Sequence, residues 1–230
     1  MDNPPRQIEG VIKALTEGSN EQQEEALKTY FLPNAYFVHP FCRVPAIDPR
    51  TVWLPLIGNF NFNSRGLLLL IYKWYHILSP KITLEVDSTA FDKRTNLLYA
   101  TIRQTFTLWF VPFSLWQANV QLVCLLELAH LHIDDRGRPT ASQASNGEDD
   151  DTALSGKKRY FIRGQQDHYQ VNEFVKFVAP FGAATMWYVW QIIATLVCAV
   201  GVAVFWPFTA TSDAVIAEVA QIRGKKRARE

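Results

Sequence analysis

The chain is 230 residues long, 48% hydrophobic and 13% aromatic, and its 23 basic and 22 acidic side chains leave a formal net charge of +1. That balance gives no bulk electrostatic case for nucleic acid, and the length suits one domain with an appendage or two small domains. The 3 cysteines, Cys42, Cys124 and Cys198, are scattered without C-x-x-C spacing, which excludes a disulfide framework or zinc ribbon and fits a reducing compartment.

The opening residues, Met1-Asp2-Asn3-Pro4-Pro5, lack the apolar core of a signal peptide, and no Asn-x-Ser/Thr sequon occurs. Asn3-Pro4-Pro5 opens a helix whose Ile8, Val11, Ile12 and Leu15 recur at helical spacing, and Gly18 ends it. Ser19 starts a second helix, with Gln22 completing a capping box and Ala26, Leu27, Tyr30 and Phe31 on one face. Pro33-Asn34 is expected to break that helix, after which 35–41 reads as a short strand. Pro45, Pro49, Pro55 and an Asn/Phe-rich stretch predict loop over 42–64, with at most a helical turn. The almost wholly apolar 65–78, with Lys73 the exception, predicts a mostly buried helix.

Alternation follows. Ile82, Leu84 and Val86 alternate with Thr83, Glu85 and Asp87. After the turn at Asp92-Lys93-Arg94, Leu98, Ala100, Ile102, Phe106 and Leu108 alternate with Tyr99, Thr101, Arg103, Thr105 and Thr107. A period of two sustained over that length means a half-buried antiparallel strand. A second long strand is expected over 119–133, apolar on both faces at 123–126. The acidic, Ser/Gly-rich 134–156, with Asp149, Asp150 and Asp151, predicts a mobile solvated loop. A strand resumes over 158–163, and Asp167 is expected to cap a helix bearing Val171, Phe174, Val175 and Val178. This order predicts an α+β domain over 1–180, with helices packed on one side of a curved antiparallel sheet.

No charged side chain lies between Lys176 and Asp213. The strongly apolar part, 183–206, would extend roughly 36 Å as a helix, enough to cross a hydrocarbon layer of about 30 Å. Trp187, Tyr188 and Trp190 at one end and Trp206 at the other fall where interfacial aromatic belts lie. Pro180-Phe181-Gly182 breaks the chain before the span, and Pro207 is expected to stop it, giving a transmembrane helix over 183–208 and a basic tail over 209–230. A core helix buried on all sides is the alternative, for which a domain of this size has little room. Tail anchoring in a single pass puts the main domain in the cytosol, with the endoplasmic reticulum membrane favoured. Against it, Arg223, Lys225, Lys226, Arg227 and Arg229 prefer the cytosolic side, and a re-entrant anchor would reconcile the two. The same cluster could be read as a nuclear signal, but a solvated end or an anionic-lipid contact is the favoured reading. The turn 108–116 adds Trp109, Phe110 and Phe113 where hairpin tips are normally polar, so it needs cover from the domain's own helices or from lipid.

Two amphipathic N-terminal helices lead into 30–40 (Tyr-Phe-Leu-Pro-Asn-Ala-Tyr-Phe-Val-His-Pro), and 159–164 (Arg-Tyr-Phe-Ile-Arg-Gly) runs into Gln166-Asp167-His168. On these residues the chain resembles the nuclear transport factor 2-like superfamily, and within it the fungal SigF-like group of membrane-associated proteins. The resemblance covers most of 4–178. It implies a cone-shaped curved antiparallel sheet, with the N-terminal helices on its concave side closing an apolar pocket. It implies no particular reaction, because this superfamily holds enzymes, binding modules and transport factors alike.

Candidate chemistry is sparse. His39 is placed to serve as general base or ligand anchor at the pocket mouth, or as a rim histidine bonded to backbone. His130 and His132 share a strand face without an obvious third ligand, so no metal and no cofactor is expected. Asp87, on the polar face, and Asp167 are the available carboxylates, so His39, Asp87, His130 and Asp167 form the catalytic candidates. Gln104 is the lone polar residue on an apolar strand face, and with Phe106 and Cys124 it is the expected ligand contact. Three functions stay open: a membrane-anchored module that binds a lipid, sterol or other hydrophobic small molecule; an isomerase, dehydratase or cyclase of the same fold; and a protein-pairing scaffold. Expected partners are the bilayer, a hydrophobic ligand and a second copy through the sheet face.

Overall fold

The computed structural model describes residues 1–54, 58–111, 116–134, 137–139 and 157–227. Helix α1 (Pro4–Thr16) buries Ile8, Val11, Ile12 and Leu15, the stripe its spacing predicts. Helix α2 (Asn20–Tyr30) starts at the expected capping box: the Gln22 amide donates to Ser19 Oγ at 3.4 Å, and the Ser19 amide donates to Gln22 Oε1 at 2.8 Å. Strand β1 (Phe31–His39) follows without a break. The helix thus ends just before the expected break at Pro33-Asn34, and the strand starts at Phe31 rather than at residue 35. Pro33 is tolerated within β1 because its ladder to β8 (Lys158–Tyr169) is irregular between Phe31 and Tyr36.

The expected loop over 42–64 is instead mostly strand: β2 (Cys42–Val44), β3 (Arg50–Leu54) and β4 (Gly58–Phe62). The prolines lie between these strands, and β3 and β4 pair as a separate two-stranded hairpin. Helix α3 (Ser64–Leu78) forms where expected but is not mostly buried. Leu68 and Tyr72 face the core, whereas Leu70, Trp74 and Ile77 are 62%, 57% and 58% exposed, because only one side of the helix meets the sheet and α1 and α2.

Strands β5 (Thr83–Asp92), β6 (Leu97–Thr107), β7 (Gln117–His132) and β8 (Lys158–Tyr169) complete a six-stranded curved sheet in the order β2-β1-β8-β7-β6-β5. All its pairings are antiparallel except β1 with β8, which is parallel. The alternation in β6 is realised as read: Leu98, Ala100, Ile102 and Phe106 are buried while Tyr99 and Arg103 are exposed. Strand β8 runs past the expected end, because Asp167 and Tyr169 stay paired with Cys124 and Leu122. Asp167 is therefore a strand residue, and Gln170 occupies the N-cap of α4 (Val171–Val178). The core joins the inner faces of α1, α2 and α3 to Leu84, Leu98, Ala100, Ile102, Leu122, Cys124, Leu126 and Ile162 of the sheet. Each such aliphatic side chain contributes about 1.5–3 kcal/mol on burial.

The contacts divide the chain into two units, Met1–Phe181 and Gly182–Glu230. The second holds α5 (Ala183–Arg227), which continues through Pro207 rather than stopping there. A proline costs a helix one hydrogen bond without necessarily ending it, a tolerance commonest in membrane helices. Within α5, Ala183–Phe205 is long and apolar enough to cross a membrane, and Tyr188 and Trp190 on it are exposed. Phe113, most of the expected acidic loop with Asp149–Asp151, Arg229 of the tail, and the side chains of Trp206, Arg223, Lys225, Lys226 and Arg227 lie outside the described residues.

Candidate functional site

Strands turn alternate side chains to the same face, so β8 sends Gln165, Asp167 and Tyr169 together onto the inner face of the sheet. On β7, Cys124 stands directly across from Asp167. On β1, Phe37 is level with Gln165, and His39, two residues on, points the same way. Helix α3 covers these groups with Tyr72 and Tyr75, three residues apart and hence on one helix face. Together with Gln104 they line an internal cavity of about 50 Å³. That volume holds the reacting end of a ligand but not a whole one.

Asp167 is the centre of this chamber. It is half-buried by accessible surface and lines the cavity. Burial raises its pKa from 3.8 to about 6, against the opposing pull of hydrogen bonds from Gln165 and the Cys124 thiol. Gln165 Nε2 donates to Asp167 Oδ1 at 3.0 Å and Oδ2 at 3.3 Å, while Tyr72 Oη donates to Gln165 Oε1 at 2.8 Å. The Gln165 amide is thus fixed at both ends, and Asp167 is oriented by it.

His39 is 6% exposed, and burial lowers its pKa to about 4, so the ring is neutral at pH 7. The Phe41 amide donates to Nδ1 at 3.2 Å, which places the ring proton on Nε2. Nε2 lies 3.3 Å from Tyr169 Oη, and Tyr75 Oη lies 3.1 Å from Nε2 and 3.2 Å from Nδ1. Burial also holds the hydroxyls of Tyr72, Tyr75 and Tyr169 above their ordinary pKa, so all three remain protonated. The chamber therefore pairs one carboxylate, poised near neutrality, with a cluster of neutral donors. That division of labour suits proton abstraction from carbon beside a carbonyl, with the donors stabilising the developing oxyanion.

Next to the chamber lies an apolar groove of about 670 Å³ whose walls include Leu67, Trp74, Phe106, Leu108, Trp116 and Phe177. Ile71 and Tyr75 belong to the walls of both, so Tyr75 is the partition between them. A charged depression of about 840 Å³, lined by Lys13, Glu17, Arg103 and Glu173 among others, contains none of the chamber's acid–base groups.

The structure brings His39, Gln104, Cys124 and Asp167 together and puts Phe106 in the adjoining groove. Of the readings the sequence left open for His39, the backbone-bonded one is seen, since the Phe41 amide donates to Nδ1. Asp87 is a bulge residue of β5 on the outer face, bonded to Arg103 at 2.7 and 2.9 Å. His130 stacks on Tyr160 at 4.2 Å, six positions along β7 from Cys124 and so roughly 20 Å from the chamber. Among the described residues no cluster of His, Cys, Asp or Glu is arranged to hold a metal. Trp109 and Phe110 are 65% and 56% exposed. Sequence reasoning missed Tyr72, Tyr75, Gln165 and Tyr169. The last two carried a signal, since Gln165, Asp167 and Tyr169 alternate as strand residues do, a pattern hidden by reading Asp167 as a cap.

The family model for the SigF NTF2-like domain matches residues 1–51 and 53–143, and so ends before β8. No curated protein matches the sequence. Among solved structures, the epoxide hydrolase/cyclase-like enzyme SalBIII, of pyran ring formation in the polyether salinomycin, is similar at 10% identity and a TM-score of 0.42, covering 73% of this chain and 91% of its own. A SnoaL-like polyketide cyclase candidate from Jannaschia sp. CCS1 is similar at 11% identity and a TM-score of 0.42, covering 78% and 96%. A protein of ketosteroid isomerase-like fold from Catenulispora acidiphila, solved with trimethylamine, is 11% identical with a TM-score of 0.38, covering 71% and 87%.

Proposed function

The chain belongs to the SigF NTF2-like family, and from that premise we propose that it is a membrane-anchored proton-transfer enzyme, an isomerase, dehydratase or cyclase acting on a hydrophobic small molecule with one carbonyl-bearing end. The observation that carries this reading is the Asp167 carboxylate lining a small cavity beside neutral donors, with its pKa raised to about 6. A site built only to hold an apolar ligand gains nothing from a carboxylate there, since a buried charge is costly unless used. The groove beyond Tyr75 takes the apolar body, and the chamber takes the carbonyl end.

In the reaction, Asp167 accepts a proton from the carbon next to the carbonyl. The electron pair left behind moves onto the carbonyl oxygen, which is held by the hydroxyls of Tyr75 and Tyr169 and by His39 Nε2–H. Return of the proton to a different carbon gives isomerisation, and attack of the carbanion on a second carbonyl of the same molecule gives ring closure. Gln165 and Tyr72 position the base and touch no substrate. Helix α5 supplies the anchor, with the domain ahead of it on the cytosolic side of an endoplasmic reticulum membrane.

The second reading, a binding module for a lipid or sterol, is favoured by the groove alone, whose walls are nearly all apolar. Deuterium exchange separates the two. The full chain in detergent is incubated in D₂O with a panel of hydrophobic cyclic ketones, and loss of α-proton NMR signal is followed. Protein-dependent exchange that disappears in Asp167→Asn supports the enzyme. Tight retention of a ketone without exchange supports the binding module and overturns the catalytic reading.

A further inference from the structure

We propose that the exposed stripe of α3, together with Trp109 and Phe110 beyond the end of β6, forms a bilayer-docking face through which a membrane-dissolved substrate enters the apolar groove directly. The proposal rests on α5 crossing a bilayer and deepens the reading of the groove as the site of the substrate's body. Leu70, Trp74 and Ile77 recur at four- and three-residue spacing, so they form one stripe along the outside of α3. A helix that is apolar on every side is stable only where every side is covered, and here the outer stripe is open.

The stripe does not stand alone. The Trp109 amide donates to the Leu78 carbonyl at 3.3 Å, which fastens the turn carrying Trp109 and Phe110 to the C-terminal end of α3. Leu70 and Trp74 also line the groove, so the exposed stripe is one lip of its mouth. The groove is also lined by Trp116, whose Nε1 donates to the Phe177 carbonyl at 3.0 Å and whose ring meets Phe181 edge-on at 6.0 Å.

Covalent connection identifies the occupant. The apolar span begins at Ala183, two residues after Phe181, and two residues reach about 7 Å at most. A bilayer that holds the span is therefore tethered by two residues to the unit that carries the groove. Exposed Trp, Leu, Ile and Phe without an acidic side chain among them match the interfacial zone of a membrane, where tryptophan is enriched. A contiguous apolar patch of this kind on a soluble face would be a liability, and against lipid it is buried.

Spin labels test the face on the full chain in phosphatidylcholine vesicles. The native Cys198 of the span gives the depth reference, and Cys124 is buried and does not label. Single labels are then placed at Ile77→Cys, Phe110→Cys and Tyr99→Cys in a Cys42→Ser, Cys198→Ala background, with Tyr99 on the outer face of the sheet as the aqueous control. The expected result is that positions 77 and 110 collide with oxygen more than with a water-soluble nickel chelate, as position 198 does, while position 99 shows the reverse. If 77 and 110 match 99 while 198 remains in lipid, the docking face is overturned, with the anchor and the chamber chemistry untouched. If 198 itself reads as aqueous, the premise fails and the proposal with it. Deuterium exchange in detergent reports on Asp167 independently of either outcome.

Discussion

Asp87 on the outer face of the sheet and Asp167 on its inner face are the same chemical group on strands of one sheet, in opposite surroundings. Asp87 is exposed and bonded through both oxygens to the Arg103 guanidinium, which holds its carboxyl below the ordinary range. Asp167 has no cation beside it in its hydrogen bonds, only an amide and a thiol, and burial lifts it to about 6. The outer carboxylate is a stable ion engaged in holding β5 to β6. The inner one changes charge near neutrality and lines the cavity. The difference lies in solvent and partners, and it is why a polar residue in a strand becomes informative only once its face is known.

The largest expected effect follows from that contrast. Asp167→Asn removes the base but keeps the shape and the Gln165 bond, so ketone α-exchange should fall by roughly 10²–10⁴-fold. Stability at pH 7 should rise in the same variant, because a buried charge has been removed; thermal denaturation alongside the NMR assay measures both. A variant that loses exchange and melts earlier would mark Asp167 as structural.

On the outer face, Gly164→Ala should be the most damaging small change. A Cβ at Gly164 would sit 2.1 Å from the Tyr36 ring, which lies flat over that position. Tyr36 would have to swing out, breaking its 2.9 Å bond to Glu127 and the 3.0 Å bond it accepts from Gln166. A cost of about 1–3 kcal/mol is expected, readable by urea denaturation. Adding Tyr36→Ala should restore part of it, because the clash then has no second party.

The two buried titratable groups of the chamber oppose each other in pH. Asp167, raised to about 6, binds its proton more tightly folded than unfolded, so its contribution to stability is full below about pH 4 and is lost as pH rises through 6. His39, lowered to about 4 from 6.5, contributes fully above about pH 6.5 and loses that as pH falls through 4. Each is worth roughly 3 kcal/mol at most, and in the intact chain they largely cancel. Relative to wild type, Asp167→Asn should lose stability on going from pH 7 to 4, and His39→Gln should gain it. Equal slopes in the two variants would mean that the pair does not share one buried site.

Tyr72→Phe is a smaller perturbation. It leaves Gln165 Oε1 without its 2.8 Å donor, costing about 1 kcal/mol. With Gln165 held less firmly, its hydrogen bond depresses Asp167 less, so the acid limb of the exchange rate should move to higher pH. Movement of that limb without loss of the maximal rate is the mark of a positioning residue.

Much of this architecture was legible in the chain. The capping box at Ser19 and the alternation in β6 follow from local rules and were realised where they were read. The apolar stretch from Ala183 is a helix long enough to cross a membrane, though the helix does not stop at Pro207. Gln104 and Cys124 were found in the chamber because one apolar strand face with a polar intruder is visible from spacing alone. The rest depended on pairing. Asp167 looks like a cap until β7 is known to continue opposite it, and Pro33 looks like the residue that ends α2 until β1 is known to begin at Phe31. Tyr72 and Tyr75 gave no signal, because a helix apolar on every side does not say which side meets the sheet. The outer stripe of α3 was misread as core for the same reason.

The smallest effect belongs to Asp87→Asn, and it tests the opening contrast from its other side. Arg103 would keep Glu85, 3.1 Å away, and the Asn side chain still accepts a hydrogen bond. Both groups are open to water, where an ion pair exchanges one set of polar contacts for another and gains little. Exchange should run at the wild-type rate and the melting temperature should scarcely move. Neither should depend on salt differently from wild type by more than the loss of one screened pair implies. A tenfold fall in exchange from this substitution would mean that the outer face communicates with the chamber through β6, where Gln104 is the neighbour of Arg103. In that case the two carboxylates could no longer be treated as independent members of a comparison.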